Sequence, residues 1–377
     1  MSIIEVNGLT KTFRTRERAA GLAGSLRSFV APQYRQREAV KPICFALERG
    51  EVLAFIGPNG AGKSTTIKML TGILYPSTGM ASVLGMVPWQ QRRALSFHIA
   101  SIYGQKSQLW YHLPPQDTFN LLAQIYELDT REYRKRRDFL IESFDIADYM
   151  RTPVRKLSLG ERMRCELAAA LLHKPSVVFL DEPTIGLDVI AKQRIRDLIG
   201  LLNREENVTV FLTSHDAGDI EQVCRRVIVI NHGEVILDTP VAKMKREYLK
   251  VKTVDLLLEE AAEQLLKTDA ESGRQRLSVQ SAASIHEELL DTGGVRVLKA
   301  KGHGLKLEID TARTKLEPVI AAIMQRCHIL DMTIADPPME EIIASIYGQK
   351  SQAEVDAVEN GEASSNASAS ESSLSGG

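Results

Sequence analysis

The densest chemistry in the sequence is the run Gly57-Pro58-Asn59-Gly60-Ala61-Gly62-Lys63-Ser64-Thr65. Its pattern, G-x-x-x-x-G-K-S, stands after an apolar run read as a strand (residues 51–56) and before a helical stretch (64–70), where a phosphate-binding loop belongs. Glycines let the backbone wrap so that its N–H groups point inward at phosphates, and the start of the helix adds positive potential. Lys63 then reaches the β- and γ-phosphates, and the Ser64 hydroxyl is a candidate Mg²⁺ ligand. A second apolar run, Val177-Val178-Phe179-Leu180, ends in Asp181 and Glu182. In a parallel sheet such a strand end lies beside the phosphate loop. Asp181 is expected to hold Mg²⁺ through water, and Glu182 to orient or deprotonate an attacking water.

Four further motifs appear in order. Gln105 follows a strand at 99–103. Leu157-Ser158-Leu159-Gly160-Glu161 precedes a helix at 162–173. Ile185-Gly186-Leu187-Asp188 follows the two carboxylates, and Thr213-Ser214-His215-Asp216 ends another strand. With the phosphate loop, this set resembles the nucleotide-binding subunit of ATP-binding cassette (ABC) transporters, and the resemblance covers about residues 3–249. It implies that ATP and Mg²⁺ are the cofactors and that two copies sandwich ATP. Ser158 and Gly160 match the family's L-S-G-G-Q signature, which binds the γ-phosphate held by the other subunit. Leu159 and Glu161 depart from it, and an acid aimed at a triphosphate would oppose it. By the same resemblance Gln105 contacts Mg²⁺ and the attacking water, Asp188 is the acid of the loop crossing the dimer interface, and His215 contacts the γ-phosphate. Phe13 sits where the family has an aromatic that stacks on adenine, with core packing as the other reading. The stretch 107–114 lies where the family docks its membrane partner's cytoplasmic helix, with Leu, Trp and Tyr as its anchors, and core packing is again the alternative for Trp110. The signature variant, an early basic insertion and the C-terminal extension look like the ATPases of bacterial two-component exporters of drugs, polysaccharides or lipids.

Alternation of strand and helix from residue 177 onward indicates an α/β chain with a mainly parallel sheet. The expected fold is a P-loop NTPase of the ABC ATPase type, whose antiparallel β and helical subdomains follow from the resemblance. The expected domains are 1–249 for the ATP-binding part, 250–350 for a small α+β accessory domain, and 351–377 for a Ser-rich acidic tail, expected to be disordered. Within the first domain, 106–156 forms the helical subdomain and 14–39 an insertion. From Lys11 to Arg37 seven basic residues meet one acid, Glu17, while Leu22, Leu26, Phe29 and Val30 keep helical spacing. A solvated loop and a short amphipathic segment touching lipid headgroups are the two readings. The accessory domain should hold a hairpin (295–298 with 305–309), a helix (313–326), a strand (329–333) and a last helix (340–347). Ile99 to Gln108 and Ile343 to Gln352 are the same decapeptide, IASIYGQKSQ.

Composition narrows the function classes. In 377 residues, 47 basic and 48 acidic side chains leave a formal net charge of −1, so no bulk charge argues for nucleic acid. No apolar run approaches the roughly 18 residues of a membrane helix. The expected place is therefore the cytoplasmic face of the cell membrane, held peripherally through separate permease subunits. Four cysteines without paired spacing suit a reducing cytosol. Other classes fit less well. A soluble ABC ATPase acting on ribosomes or DNA would carry two cassettes or a long coiled coil, and a regulator without turnover would not need Lys63, Asp181, Glu182 and His215 together.

Overall fold

In the computed structural model, β1 (Ser2–Arg16) and β2 (Tyr34–Glu48) form an antiparallel pair. The structure describes residues 2–16, 34–104, 107–214, 216–248, 251–259, 266–268, 275–277, 294–336 and 346. β3 (Val52–Ile56) runs into the phosphate loop, and α1 (Lys63–Leu70) leaves it. β4 (Thr78–Val83) returns to pair antiparallel with β1, giving a sheet of order β2-β1-β4. After α2 (Arg92–Ser96) and β5 (Ile99–Tyr103) comes a helical block: α3 (Pro115–Ile125), α4 (Thr130–Ser143), two 3₁₀ turns, and α5 (Leu159–Ala170). The chain continues through β6 (Val177–Asp181), α6 (Val189–Glu206), β7 (Thr209–Thr213), α7 (Ala217–Val223), β8 (Arg226–Asn231), β9 (Glu234–Pro240) and α8 (Val241–Tyr248).

The central sheet has the order β5-β6-β7-β3-β8-β9, parallel except for the edge strand β9. β3 and β7 are buried at every position, and β6 at every position but its last, Asp181. That burial is why these strands read as unbroken apolar runs instead of alternating ones. Phe45 of the antiparallel sheet meets Phe55 and Phe211 of the central sheet at ring-centroid distances of 5.8 and 6.1 Å, and Phe211 also packs on Phe179 at 5.7 Å. Each fully buried ring contributes about 1.5–3 kcal/mol of transfer free energy, so this cluster fastens the two sheets together. Parallel strands bring their carboxyl ends to one edge, where β3 delivers the phosphate loop and β6 delivers Asp181 and Glu182.

The basic insertion differs from both expectations at its ends. The hairpin continues through Phe13↔Arg37, Arg14↔Gln36, Thr15↔Arg35 and Arg16↔Tyr34. Once the ladder is in register, each further residue pairs its backbone groups at little added ordering cost, and Thr12, Phe13, Thr15 and Tyr34 favour strand. Leu22, Leu26, Phe29 and Val30 lie outside the described residues.

The chain packs as two units, Met1–Val241 and Ala242–Gly377. The second contains an antiparallel sheet of order β13-β14-β10-β15, from β10 (Val251–Leu258), β13 (Val295–Lys301), β14 (Gly304–Asp310) and β15 (Ile329–Ala335). A short pair, β11 (Leu266–Thr268) with β12 (Gln275–Leu277), forms a second, two-stranded sheet. Val254, Leu256, Leu305, Leu307 and Ile309 face α9 (Leu316–Met324) through Val319 and Ile323. The expected last helix, apart from Ile346, and the tail lie outside the described residues.

Candidate functional site

The phosphate loop is set by backbone conformations that only glycine adopts freely. Gly62 caps α1 with φ 110° and no side-chain cap, so the first-turn N–H groups remain open to an anion. A Cβ on Gly62 would stand 2.7 Å from the carbonyl of Ala39, and one on Gly57 would stand 2.2 Å from that of Ile230. Lys63 is 5% exposed, and its ammonium donates to the carbonyls of Gly57 (2.6 Å) and Pro58 (3.3 Å). Burial lowers its pKa, while the nearby charges of Glu182 and Asp181 act the other way.

The carboxylates are fixed from β7. The Thr213 hydroxyl donates to Asp181 Oδ1 (2.7 Å), and the Glu182 backbone N–H donates to Thr213 at both its carbonyl (3.0 Å) and its hydroxyl (3.1 Å). This hold keeps Glu182 at φ 56°, a left-handed conformation that costs a non-glycine residue about 1–3 kcal/mol. Glu182 Oε1 then lies 3.8 Å from Lys63 Nζ. One cavity of about 590 Å³ is lined by Phe13, Arg37, Asn59, Gly60, Gly62, Lys63, Ser64, Thr65, Tyr103, Gly104, Asp181 and Glu182. Phe13, 37% exposed, reaches it because the continued hairpin folds back over the loop, and Lys11 Nζ lies 5.3 Å from the centroid of its ring. Among the described residues no cluster of three or more His, Cys, Asp or Glu could hold a metal by itself. Ser64 and Asp181 share the cavity and offer hard oxygens of the kind Mg²⁺ takes alongside phosphate.

Ser158 is the N-cap of α5. Its hydroxyl accepts from the Glu161 N–H (3.3 Å), and the Glu161 carboxylate accepts from the Ser158 N–H (2.8 Å). The acid in the signature is therefore turned into a capping box. Gly160 lies against α6, where a Cβ would stand 2.9 Å from that of Ala191. Asp188 is the N-cap of α6, accepting from the Ala191 N–H at 2.8 Å. Beside it Ile185, Val189 and Ile190 are exposed. Trp110 is 46% exposed, which removes the core-packing reading, whereas Leu109 is buried.

Gln105 and His215 lie outside the described residues. Their neighbours are placed: Gly104 lines the main cavity, while Ser214 and Asp216 line a smaller cleft of about 200 Å³ that shares Glu182. That cleft rests on Asp219, 1% exposed, which accepts from Thr184 (2.5 Å), Ser214 (2.6 Å) and Arg196 Nε (2.7 Å). Arg196 and Lys192 also donate to Asp216. Burial works against the ionised form of Asp216, and these two cations outweigh it, so its pKa is lowered. Thr213, Asp219, Arg196 and Arg37 were not among the residues picked from the sequence. A hydroxyl ending an apolar strand was the only available signal for Thr213.

Residues 40–185 match the ABC transporter domain family. The chain is 33% identical over 199 residues to the ABC transporter ATP-binding protein NatA of Bacillus subtilis, covering 53% of this chain and 80% of that protein. It is 26% identical over 323 residues to the linearmycin resistance ATP-binding protein LnrL of the same organism, covering 84% of this chain and 96% of that protein. Among solved structures it is similar to CbiO1 of Clostridium perfringens, part of the ABC transporter complex CbiONQ. That likeness has a TM-score of 0.52 and 27% identity, covering 65% of this chain and 94% of the other.

Proposed function

This chain belongs to the ABC transporter family of ATP-binding proteins, and on that premise we propose that it powers export through separate membrane permease subunits, with a second copy completing each ATP site. It is an ATP hydrolase with the P-loop NTPase fold of the ABC cassettes. The observation that carries the proposal is the continuity of one cavity, from an exposed aromatic, past an uncapped helix start and a buried lysine, to two carboxylates. Phe13 stacks on adenine with the ring face that Lys11 leaves open. The loop N–H groups and Lys63 hold the β- and γ-phosphates. Ser64 and Asp181 would hold Mg²⁺, which supplies charge neutralisation at the phosphates. Glu182, fixed by Thr213, orients and deprotonates the attacking water, with Gln105 and His215 completing the set around the γ-phosphate.

In this reading Ser158 and Gly160 face the γ-phosphate held by the second copy, and Asp188 lies at the interface with the exposed Ile185, Val189 and Ile190. The capped Glu161 leaves the N–H groups of α5 facing that phosphate. Similar proteins are named for linearmycin resistance, daunorubicin resistance and bacitracin transport, which supports export of a drug-like or lipid-like cargo. No helix among the described residues is long and apolar enough to cross a membrane. The permease would supply the path and would hold this chain peripherally at the cytoplasmic face of the membrane. Nothing in the site calls for nucleic acid.

The test combines titration with turnover. The purified chain should bind and hydrolyse ATP, and Lys63→Ala should weaken ATP binding by about 100-fold, as removal of a buried charge-assisted contact does. Unchanged affinity in the variant would overturn the site. Affinity capture from solubilised membranes should return a multi-span membrane protein, and its absence would overturn the permease partnership.

A further inference from the structure

Arg37 stands on β2 directly opposite Phe13 of β1. Opposed residues of an antiparallel pair project from the same face, so the two side chains leave the hairpin together, and both line the cavity that holds the phosphate loop. In sequence the whole basic insertion lies between them. The register brings them together. Across the cavity the Arg37 guanidinium reaches the phosphate loop, where one of its nitrogens would stand 3.5 Å from a Cβ on Gly60. The side chain is exposed, so it overhangs the loop from the solvent side, while Lys63, 5% exposed, approaches from within the protein.

A cation held over a phosphate loop calls for an anion, and the acids of the cavity are already engaged. Asp181 accepts from Thr213, and Glu182 stands 3.8 Å from Lys63. The partner left for Arg37 is one that enters with a ligand. A nucleotide with its base on the Phe13 ring and its outer phosphates at Lys63 passes its ribose and first phosphate beneath the guanidinium, between Phe13 and Gly60. The planar fork of N–H donors matches two oxygens of one phosphate. Arg14 provides the contrast, because it pairs with Gln36 and projects from the opposite face of the hairpin.

We propose that Arg37 is a further nucleotide-binding residue, holding the phosphate next to the ribose while Lys63 and the loop hold the outer two. The proposal rests on the reading of this cavity as an ATP site, and it gives one end of the basic insertion a use there.

Titrations of the full chain with ATP, ADP and inorganic triphosphate test it. Arg37→Ala should raise all three Kd values about tenfold, the loss of one charge-assisted contact at a solvent-facing position. ADP keeps the phosphate next to the ribose, and inorganic triphosphate fills the same three places without base or sugar. Arg14→Ala removes the same charge from the other face and should keep all three values within about twofold. Parent affinity for ATP in Arg37→Ala would overturn the proposal. So would a loss confined to ATP, which would put the guanidinium on the outermost phosphate, or one that spares triphosphate, which would put it on the base or ribose. Equal losses in Arg14→Ala would reduce the effect to bulk charge and overturn it as well. Should Arg37→Ala not fold, Arg37→Gln removes the charge, keeps the stem and carries the same expectations. Unchanged ATP affinity in Lys63→Ala would refute the ATP site itself, and this assignment with it. A loss in Lys63→Ala beside parent values in Arg37→Ala would refute only the part given to Arg37.

Discussion

Glu182→Gln exchanges a carboxylate for an amide of the same shape, 3.8 Å from the Lys63 ammonium. Two unit charges at that distance interact by about 4 kcal/mol at an effective dielectric constant of 20, and by about 1 kcal/mol in bulk water. Before nucleotide binds, the carboxylate supports a lysine whose pKa burial lowers. When a triphosphate arrives, Lys63 gains a stronger partner, and the same carboxylate becomes a repulsive neighbour of the γ-phosphate. Removing it should therefore tighten ATP binding, by about 1 kcal/mol or roughly fivefold if only the solvent-screened share survives. Turnover should fall by about 10²- to 10⁴-fold, since an amide cannot accept the proton of the attacking water. The gain in affinity should shrink as pH rises, because without Glu182 the Lys63 pKa falls further and the free variant loses its ammonium earlier. Fluorescent-nucleotide titrations at two pH values, steady-state hydrolysis and gel filtration in ATP measure all of this, with the variant expected to accumulate as an ATP-bound dimer. Turnover within tenfold of the parent, or a loosened ATP complex, would refute the assignment of Glu182 and its charge coupling to Lys63.

Phe13→Ala should raise the Kd for ATP and for ADP by a factor corresponding to about 1–3 kcal/mol of lost base stacking, while leaving inorganic triphosphate binding unchanged. Equal losses for the nucleotide and the triphosphate would contradict a base contact. A thiol reagent should modify Cys44 rapidly in the native protein and all four cysteines only after unfolding. Cys44 is exposed, whereas Cys165 and Cys224 are buried, and burial pushes the Cys165 thiol up to about 12. Fast modification of a second thiol would contradict that packing. In membranes containing the permease, Gln105→Ala should impair stimulated turnover and Gln349→Ala should leave it near the parent rate. Equal defects would mean that the terminal copy of the decapeptide takes part in coupling.

The parts of the site legible from sequence are those whose chemistry is local. A glycine-rich loop between strand and helix, and two acids closing an apolar strand, carry their meaning in a few adjacent residues, and the structure brings Lys63, Ser64, Asp181 and Glu182 into one cavity. Thr213 and Asp219 were missed because their value comes from partners across the sheet and the 184–219 gap, which no spacing rule encodes. β10 was missed for a related reason. Its alternation of Val254, Leu256 and Leu258 makes sense only against β14 and α9. At the ends of the insertion a high density of arginine suggested a solvated loop; Arg14 and residues 34–38 are exposed, but the hairpin register carries strand as far as Arg16 and Tyr34. Glu161 suits the helix dipole by its place in the first turn, and would oppose a triphosphate only if aimed at it. The capping box gives that charge a backbone donor, and this depends on the exact turn of helix that Ser158 begins.

The repeated decapeptide separates local from tertiary causes within one chain. Ile102 and Ile346 occupy the same place in IASIYGQKSQ, with identical neighbours on both sides. Ile102 is a strand residue, 1% exposed and paired with Leu180 in the parallel sheet, whereas Ile346 is helical and 6% exposed. Isoleucine and its companions are compatible with either state, and intrinsic preferences of a few tenths of a kcal/mol per residue are small beside burial of one side chain, about 1.5–3 kcal/mol. The first copy is strand because β6 offers an open edge at the point where the chain must return to the carboxylates. The second is preceded by Pro337-Pro338-Met339-Glu340-Glu341-Ile342, whose acids favour a helix start by sequence, whereas the first is preceded by Phe97-His98. A ten-residue match therefore transfers neither conformation nor role by itself. The role proposed for Gln105 rests on its place directly after β5 and Gly104, and Gly104 lines the main cavity.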